Sequence, residues 1–178
     1  MLNVVVRSQR LVFCIWNESD AEAFVGLCHR QGLRDFSSPA YHQMTVEKAR
    51  AFIARESGRY AVSRTGRFAV YLADSGELIG ISGIFEMDAP RSDCFEINYR
   101  FCSDYWGKGI GAEAARTMVR YGFEQLGLKK VYAVLRSDNL RSLGVVKKIR
   151  MMLEQHTEWQ GYPAQLWSAQ SGDWPQTF

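Results

Sequence analysis

The stretch that decides the fold reads DYWGKGIGAE and spans residues 104–113. Gly107, Gly109 and Gly111 alternate there with Lys108 and Ile110, and the sequence turns helical immediately afterwards. Without a Cβ the chain can take positive φ, and a ligand can lie directly on the amides. A helix N-terminus preceded by glycines is an anion site: free N–H groups converge there, and the macrodipole adds roughly half a positive charge. Phosphate is the natural ligand. The phosphate loop of nucleotide triphosphatases needs Lys followed by Ser or Thr, whereas Lys108 is followed by Gly109. A dinucleotide fingerprint needs G-x-G-x-x-G and an acid about 20 residues on at a strand end. Here the spacing is G-x-G-x-G and Glu124 lies inside the helix, which leaves that reading a minor alternative. The remaining candidate is a pyrophosphate held on a short Gly-x-Gly turn.

Downstream, Ala115, Met118, Val119, Gly122 and Leu126 share one face of a helix predicted over 112–126, with Gly127 placed to end it. KKVYAVLR (129–136) reads as a strand, and so does CFEINYRF (94–101) upstream of the turn. The resulting strand-helix-strand unit requires parallel outer strands. Further upstream, RFAVYLA (67–73) and ELIGISGIFEM (77–87) are separated by the turn DSG, so with 94–101 they form an antiparallel meander. RLVFCIW (10–16) reads as a strand, and NESDAEAFVGLCHR (17–30) as a helix capped by Ser19 or Asn17. A second helix starts at Thr45, where Val46, Ala49, Phe52 and Ile53 share a face and Thr45 with Lys48 makes half a capping box. A last helix begins near Asn139, and PAQLWSAQ (163–170) is a last strand. The class is α+β with a mixed sheet.

The 178 residues are 47% hydrophobic, with four prolines, no polar linker and no internal repeat, which predicts one domain over 1–178. A net charge of +3 is too mild to indicate nucleic acid or an acidic membrane. Cys14, Cys28, Cys94 and Cys102 form no C-x-x-C pair, and His29, His42 and His156 complete no zinc spacing. Buried free thiols and no metal are the expectation. No run reaches the ~18 apolar residues of a membrane span, and the N-terminal valines are too few for a signal peptide, so a cytoplasmic location is expected.

YWGKGIGAEAARTMVRYGFEQLGLKKV resembles the acetyl-coenzyme A motif of the GNAT N-acetyltransferases. It is closest to the Rim-type branch that acetylates ribosomal-protein N-termini, in which a Tyr-Trp-Gly-x-Gly turn is typical. The resemblance extends to RLVFCIWNESDAEAF, ELIGISGI, FEINYRF and SDNLRS, covering most of residues 10–148. It implies the GNAT fold: a mixed, mostly antiparallel sheet flanked by helices, with a central parallel strand pair. It implies acetyl-CoA as cosubstrate and direct transfer of acetyl to a primary amine, a small amine or a peptide or ribosomal-protein N-terminus, by a monomer or homodimer that requires no nucleic acid, membrane or metal. Two departures stand out. Trp106 replaces the family's usual Gln or Arg, as it often does in the Rim-type branch. KKIRMM puts Arg150 and Met151 where a Lys-x-Gly-Phe signature closes the last helix, so that helix is expected to run on or end irregularly.

Acetyl transfer from a thioester requires a neutral amine, a stabilised oxyanion and a proton for the departing thiolate. The resemblance places Glu96 facing the acceptor as general base through a water, although strand alternation with Phe95 and Ile97 would equally make it solvent-facing. The position of the family's usual Tyr acid, seven residues after Asn139, is Val146. Ser142 shares a helical face with Asn139 and takes the role of donor to the sulfur, as the Rim-type resemblance implies; either residue is also a natural helix cap. Around the turn, Tyr105, Trp106, Gly107, Lys108, Gly109, Ile110, Gly111 and Ala112 are the expected cofactor contacts, with Tyr105 and Trp106 also readable as packing residues. Asn139 and Arg141 join them, Lys108 and Arg141 at the phosphates. The loop over 31–44, with Phe36, Tyr41 and His42, and the segment over 86–93, with Glu86, Asp88 and Asp93, are the expected acceptor walls and suit a cationic amine. Two rival functions stay open: a CoA-binding sensor with weak catalysis, and a nucleic-acid-binding domain, in which the glycine turn would have no role.

Overall fold

Before the glycine turn, strand-like runs flank a long helical stretch, and beyond it strands alternate with helices. The computed structural model describes residues 3–31, 33, 39–87 and 94–175. Its elements are β1 (Asn3–Arg7), β2 (Leu11–Ile15), α1 (Ala21–His29), α2 (Pro39–His42), α3 (Val46–Ser63), β3 (Gly66–Leu72), β4 (Leu78–Glu86) and β5 (Phe95–Phe101). After the turn come α4 (Ile110–Glu124), β6 (Lys130–Arg136), α5 (Leu140–Lys148), β7 (Met152–Trp159) and β8 (Tyr162–Gln170). The strands form one sheet in the order β1-β2-β3-β4-β5-β6-β8-β7. Among the described residues only β5 and β6 pair parallel; the other neighbours are antiparallel. The expected meander and the expected parallel pair are both present.

Two strands have no counterpart in the sequence reading. β1 is a half-exposed valine run whose pairing with β2 slips between Val4 and Val6. β7 is an edge strand exposed along most of its length, so it lacks the period-two pattern that marks a strand with one buried face. The glycine-led helix also starts two residues earlier than periodicity predicts. Gly109, at φ +79, is its N-cap, which draws Ile110, Gly111 and Ala112 into the first turn. Gly127 does close the segment, at φ +67.

The two sheet faces carry separate cores. On one, Ile97, Phe101, Met118, Val119 and Val131 join β5, α4 and β6. On the other, α1 and α3 cover the sheet through Trp16, Phe24 and Phe52, with the Phe24 and Phe52 rings stacked at 4.6 Å. α3 is fastened to β3 by Glu56, whose buried carboxylate accepts from the Arg67 amide at 3.0 Å and pairs with its guanidinium at 3.1 Å. Thr45 caps α3 by accepting from the Lys48 amide at 3.3 Å, the half box expected.

The missing glycine after α5 does not let that helix run on. Arg150 itself takes the left-handed conformation, at φ +58. That geometry costs a non-glycine residue roughly 1–2 kcal/mol, and it sits between Ile149 and Met151, which are both buried. Met151 N–H closes the end on the Val146 carbonyl at 3.0 Å. Cys14, Cys28 and Cys102 are buried free thiols, and Cys94 is half-buried.

Candidate active site

β5 and β6 share a single register pair, Glu96 with Tyr132, although β5 runs on to Phe101 and β6 to Arg136. Beyond that pair the strands part. A cavity of about 400 Å³ opens between them, walled by Glu96–Phe101 on one side and Val134–Arg136 on the other. The start of α4 and the start of α5 complete it. Glu96, Ser142, Tyr105, Trp106, Gly107, Gly109, Ile110, Gly111, Ala112, Asn139 and Arg141 all line this cavity. Lys108 does not; it borders the neighbouring groove between β1 and α4, with its Nζ 5.8 Å over the Tyr105 ring.

The first bond of α4 runs from Glu113 N–H to the Gly109 carbonyl at 3.0 Å, so the amides of Ile110, Gly111 and Ala112 precede the helical ladder. Gly109 brings no side chain to cap them. Gly107 and Gly109 both take positive φ, at +73 and +79, whereas Gly111 is plainly helical. At Gly111 space matters instead, since a Cβ there would stand 3.5 Å from Val145 on α5.

Aromatic residues hold the turn in place. Trp106 donates from Nε1 to the Phe101 carbonyl at 3.0 Å, and its ring carries the Arg141 guanidinium at 4.2 Å. A cation is thereby held beside the first turn of α4. The Tyr105 hydroxyl donates to Glu77 at 2.7 Å, and Arg30 links Glu77 and Asp104 at 3.0 and 2.9 Å. The Tyr105 hydroxyl and Arg30 hold the Glu77 carboxyl below its ordinary value. Asn139 serves as the N-cap of α5, accepting from the Ser142 amide at 3.1 Å, and faces the cavity as well.

Tyr99 and Asn98 are among the cavity residues that escape sequence reading. The Tyr99 hydroxyl donates to the Ser142 carbonyl at 3.3 Å and ties β5 to α5; burial pushes its phenol above the ordinary range, so it stays protonated. Its place two residues after Ile97, on the face toward α4, is the signal that could have found it. Asn98 also lines the cavity, and its Oδ1 is buried with no hydrogen-bond partner. An orphaned acceptor of this kind costs about 1–3 kcal/mol until a donor reaches it.

The expected acceptor walls are only partly in view. Phe36, Asp88 and Asp93 lie outside the described residues, while Glu86 and His42 are exposed. Tyr41 is buried against Phe24 and Phe52 and does not line the cavity; its ring instead supports Arg100, which does, at 4.8 Å. At the opposite rim stand Trp159 and Arg136, the latter stacked on Tyr162 at 3.9 Å. Among the described residues no group of three or more His, Cys, Asp or Glu side chains is placed to hold a metal ion, and no helix is long and apolar enough to cross a membrane.

Residues 10–152 match the family model described as an acetyltransferase (GNAT) domain. The chain belongs to the GNAT acetyltransferase family. By class it is thus an acyltransferase that draws on acetyl-CoA. It is 33% identical over 110 residues to the uncharacterized N-acetyltransferase YnaD of Bacillus subtilis, which covers 62% of this chain and 61% of YnaD. To the uncharacterized N-acetyltransferase YoaA of the same organism it is 27% identical over 150 residues, 84% of each chain. The solved structure of RimL, a ribosomal L7/L12 α-N-protein acetyltransferase in complex with coenzyme A, superposes with a TM-score of 0.77 over 94% of this chain and 97% of its own, at 17% identity. That likeness is one of fold.

Proposed function

We propose that this GNAT protein transfers acetyl from acetyl-CoA directly to a primary amine, and that the amine is a peptide N-terminus. The observation that carries the reading is the continuity of the cavity: it joins the uncapped amides of the glycine turn to Glu96 through the gap between β5 and β6. The residues suit the cosubstrate. Under this reading the amides of Gly109, Ile110, Gly111 and Ala112 with Arg141 hold the pyrophosphate. The orphaned Asn98 oxygen accepts from an amide or amine N–H of a substrate, which removes the cost of leaving it unpaired.

Glu96, through a water, takes a proton from the ammonium so that the neutral amine can attack the thioester carbonyl. A C–N bond forms as the C–S bond breaks, and Ser142 donates a hydrogen bond to the departing thiolate, which leaves as the thiol. RimL, of the same fold, is named for acetylating a protein N-terminus, which supports a peptide acceptor.

A second reading is favoured by one observation. Val146 stands where the family's usual Tyr acid is expected and is fully buried in the core, as suits a CoA-binding sensor with weak catalysis. One experiment separates the two: thiol release from acetyl-CoA across peptide N-termini, polyamines, amino acids and aminoglycosides. Turnover on peptides supports transfer, whereas CoA binding without turnover on any amine supports the sensor. Within an active enzyme, Glu96→Gln is expected to lower turnover by ~10²- to 10⁴-fold while sparing cofactor affinity. Near-normal turnover of that variant at neutral and low pH would leave Glu96 a plain strand residue.

A further inference from the structure

We propose that Arg10 and Glu113 are positioning residues that pre-set the glycine turn for the cofactor; the inference rests on the reading of that turn as the pyrophosphate site. Arg10 stands in the connection between β1 and β2, far from the turn in sequence. Its Nη1 donates to the Lys108 carbonyl at 3.0 Å, and its Nη2 lies 3.4 Å from where a Cβ on Gly109 would stand. Its Nε donates to Glu113 Oε2 at 2.6 Å and its amide to Glu113 Oε1 at 2.8 Å. Ser8 Oγ donates to the same Oε1 at 2.7 Å. Glu113, in the first turn of α4, is therefore the hub of three donors from the β1–β2 connection, and Arg10 spans the turn and the helix together.

The physical consequence follows from the planar trans peptide. A carbonyl and the N–H that follows it point in opposite directions. Arg10 holds the Lys108 oxygen on its own side, so the Gly109 N–H is aimed away from Arg10. Glycine crosses between signs of φ with little resistance, and without an outside anchor this plane would be free to turn. The clamp removes that freedom before the ligand arrives, which is preorganisation in the ordinary sense.

Charge alone makes the opposite prediction for Glu113, since a carboxylate beside a polyanion should repel it. Glu113→Gln would then tighten binding. If position matters, Glu113→Gln weakens it, because an amide has one acceptor oxygen and must turn its NH₂ toward Arg10 or Ser8. Arg10→Lys separates the two ideas again: the charge stays, but a single ammonium lacks the fork that reaches Lys108 and Glu113 at once.

The test is calorimetric titration of coenzyme A into the full chain, alongside steady-state kinetics and thermal melting. Both variants are expected to weaken binding about ten-fold, roughly the worth of one charge-assisted hydrogen bond. The loss should appear in the KM for acetyl-CoA, with the acceptor KM unmoved. Ser8→Ala, which alters no charge and removes one donor to Glu113, should weaken binding in the same direction and serves if Glu113→Gln fails to fold. Binding by Glu113→Gln or Ser8→Ala as tight as wild type, or wild-type affinity in Arg10→Lys, overturns the proposal. Failure of the wild-type chain to bind coenzyme A would instead remove the cofactor reading beneath it.

Discussion

Gly109→Ala should separate the backbone's demand for glycine from the ligand's. Gly109 stands at φ +79 immediately before α4, a conformation that costs an L-residue roughly 1–2 kcal/mol. The added Cβ would meet only the tip of Arg10, at 3.4 Å, and that flexible end can give way. Strain is therefore the main term. For a chain of this size each kcal/mol moves Tm by about 2–4 °C, so a fall of about 2–8 °C is expected. If the residue escapes the strain by leaving the left-handed region, the Lys108–Gly109 plane rotates and the amide is withdrawn from the anion. Losing one charge-assisted hydrogen bond weakens Kd by about 10- to 100-fold. Gly111→Ala is the control. Gly111 is helical, and its new Cβ would find Val145 at 3.5 Å and Tyr99 at 3.9 Å, ordinary contacts, so Tm and Kd should hold. Valine at 111 would push two further carbons into the same gap and should lose affinity. Calorimetry with acetyl-CoA and melting followed by circular dichroism make both measurements. A folded Gly109→Ala with wild-type Kd, or a Gly111→Ala that loses as much as Gly109→Ala, would refute the reasoning.

Two further outcomes are expected. Burial pushes the Glu113 carboxyl up, but the hydrogen bonds from Ser8 and Arg10 outweigh it and hold the group below its ordinary value of 4.5. Its contribution to stability is thus fully present above about pH 4.5 and is lost as pH falls through the lowered value. In urea titrations, the gap in unfolding free energy between wild type and Glu113→Gln should be constant from neutral pH down to that point and narrow below it; a gap that widens in acid would contradict the assignment. Burial pushes the Cys28 thiol up to about 12 and the Cys102 thiol up to about 11, and raises Cys14 as well. A colorimetric thiol titration should accordingly find about one fast-reacting thiol in the native protein, Cys94, and all four after denaturation. Fast labelling of Cys28 or Cys102 would show that the α1 side of the sheet opens.

The glycine turn was legible because its signal is local: three glycines, an aromatic pair and a helical period lie within a few residues. The parallel pair followed from it, since a strand, a helix and a strand in succession allow little else. The clamp was not legible. Arg10 and Glu113 are separated by 103 residues, and each taken alone reads as a solvated charge. Asn98 and Tyr99 were hidden for another reason, because within FEINYRF alternation tells which face a residue takes and not what the face encloses. β7 escaped because a strand exposed along both faces has no pattern to betray it. The departure at Arg150 was visible, but which of its two expected outcomes holds was not: the burial of Ile149 and Met151 on either side decides where α5 stops, and a non-glycine residue takes the left-handed turn.

The lone register pair between Glu96 and Tyr132 has a mechanical consequence. β1 to β5 lie on one side of the seam and β6, β8 and β7 on the other, and the sheet joins the two plates by a single rung with α4 lying across the seam, which makes the seam the natural hinge. Along the rest of the seam, backbone groups of β5 and β6 face a gap where a ladder would run. A bound molecule bearing its own amides can stand in as the missing rungs, so filling the cleft should stiffen the hinge between the plates. Amides far out on both plates would then exchange more slowly with solvent than in the empty protein, and departure of the product would restore the hinge.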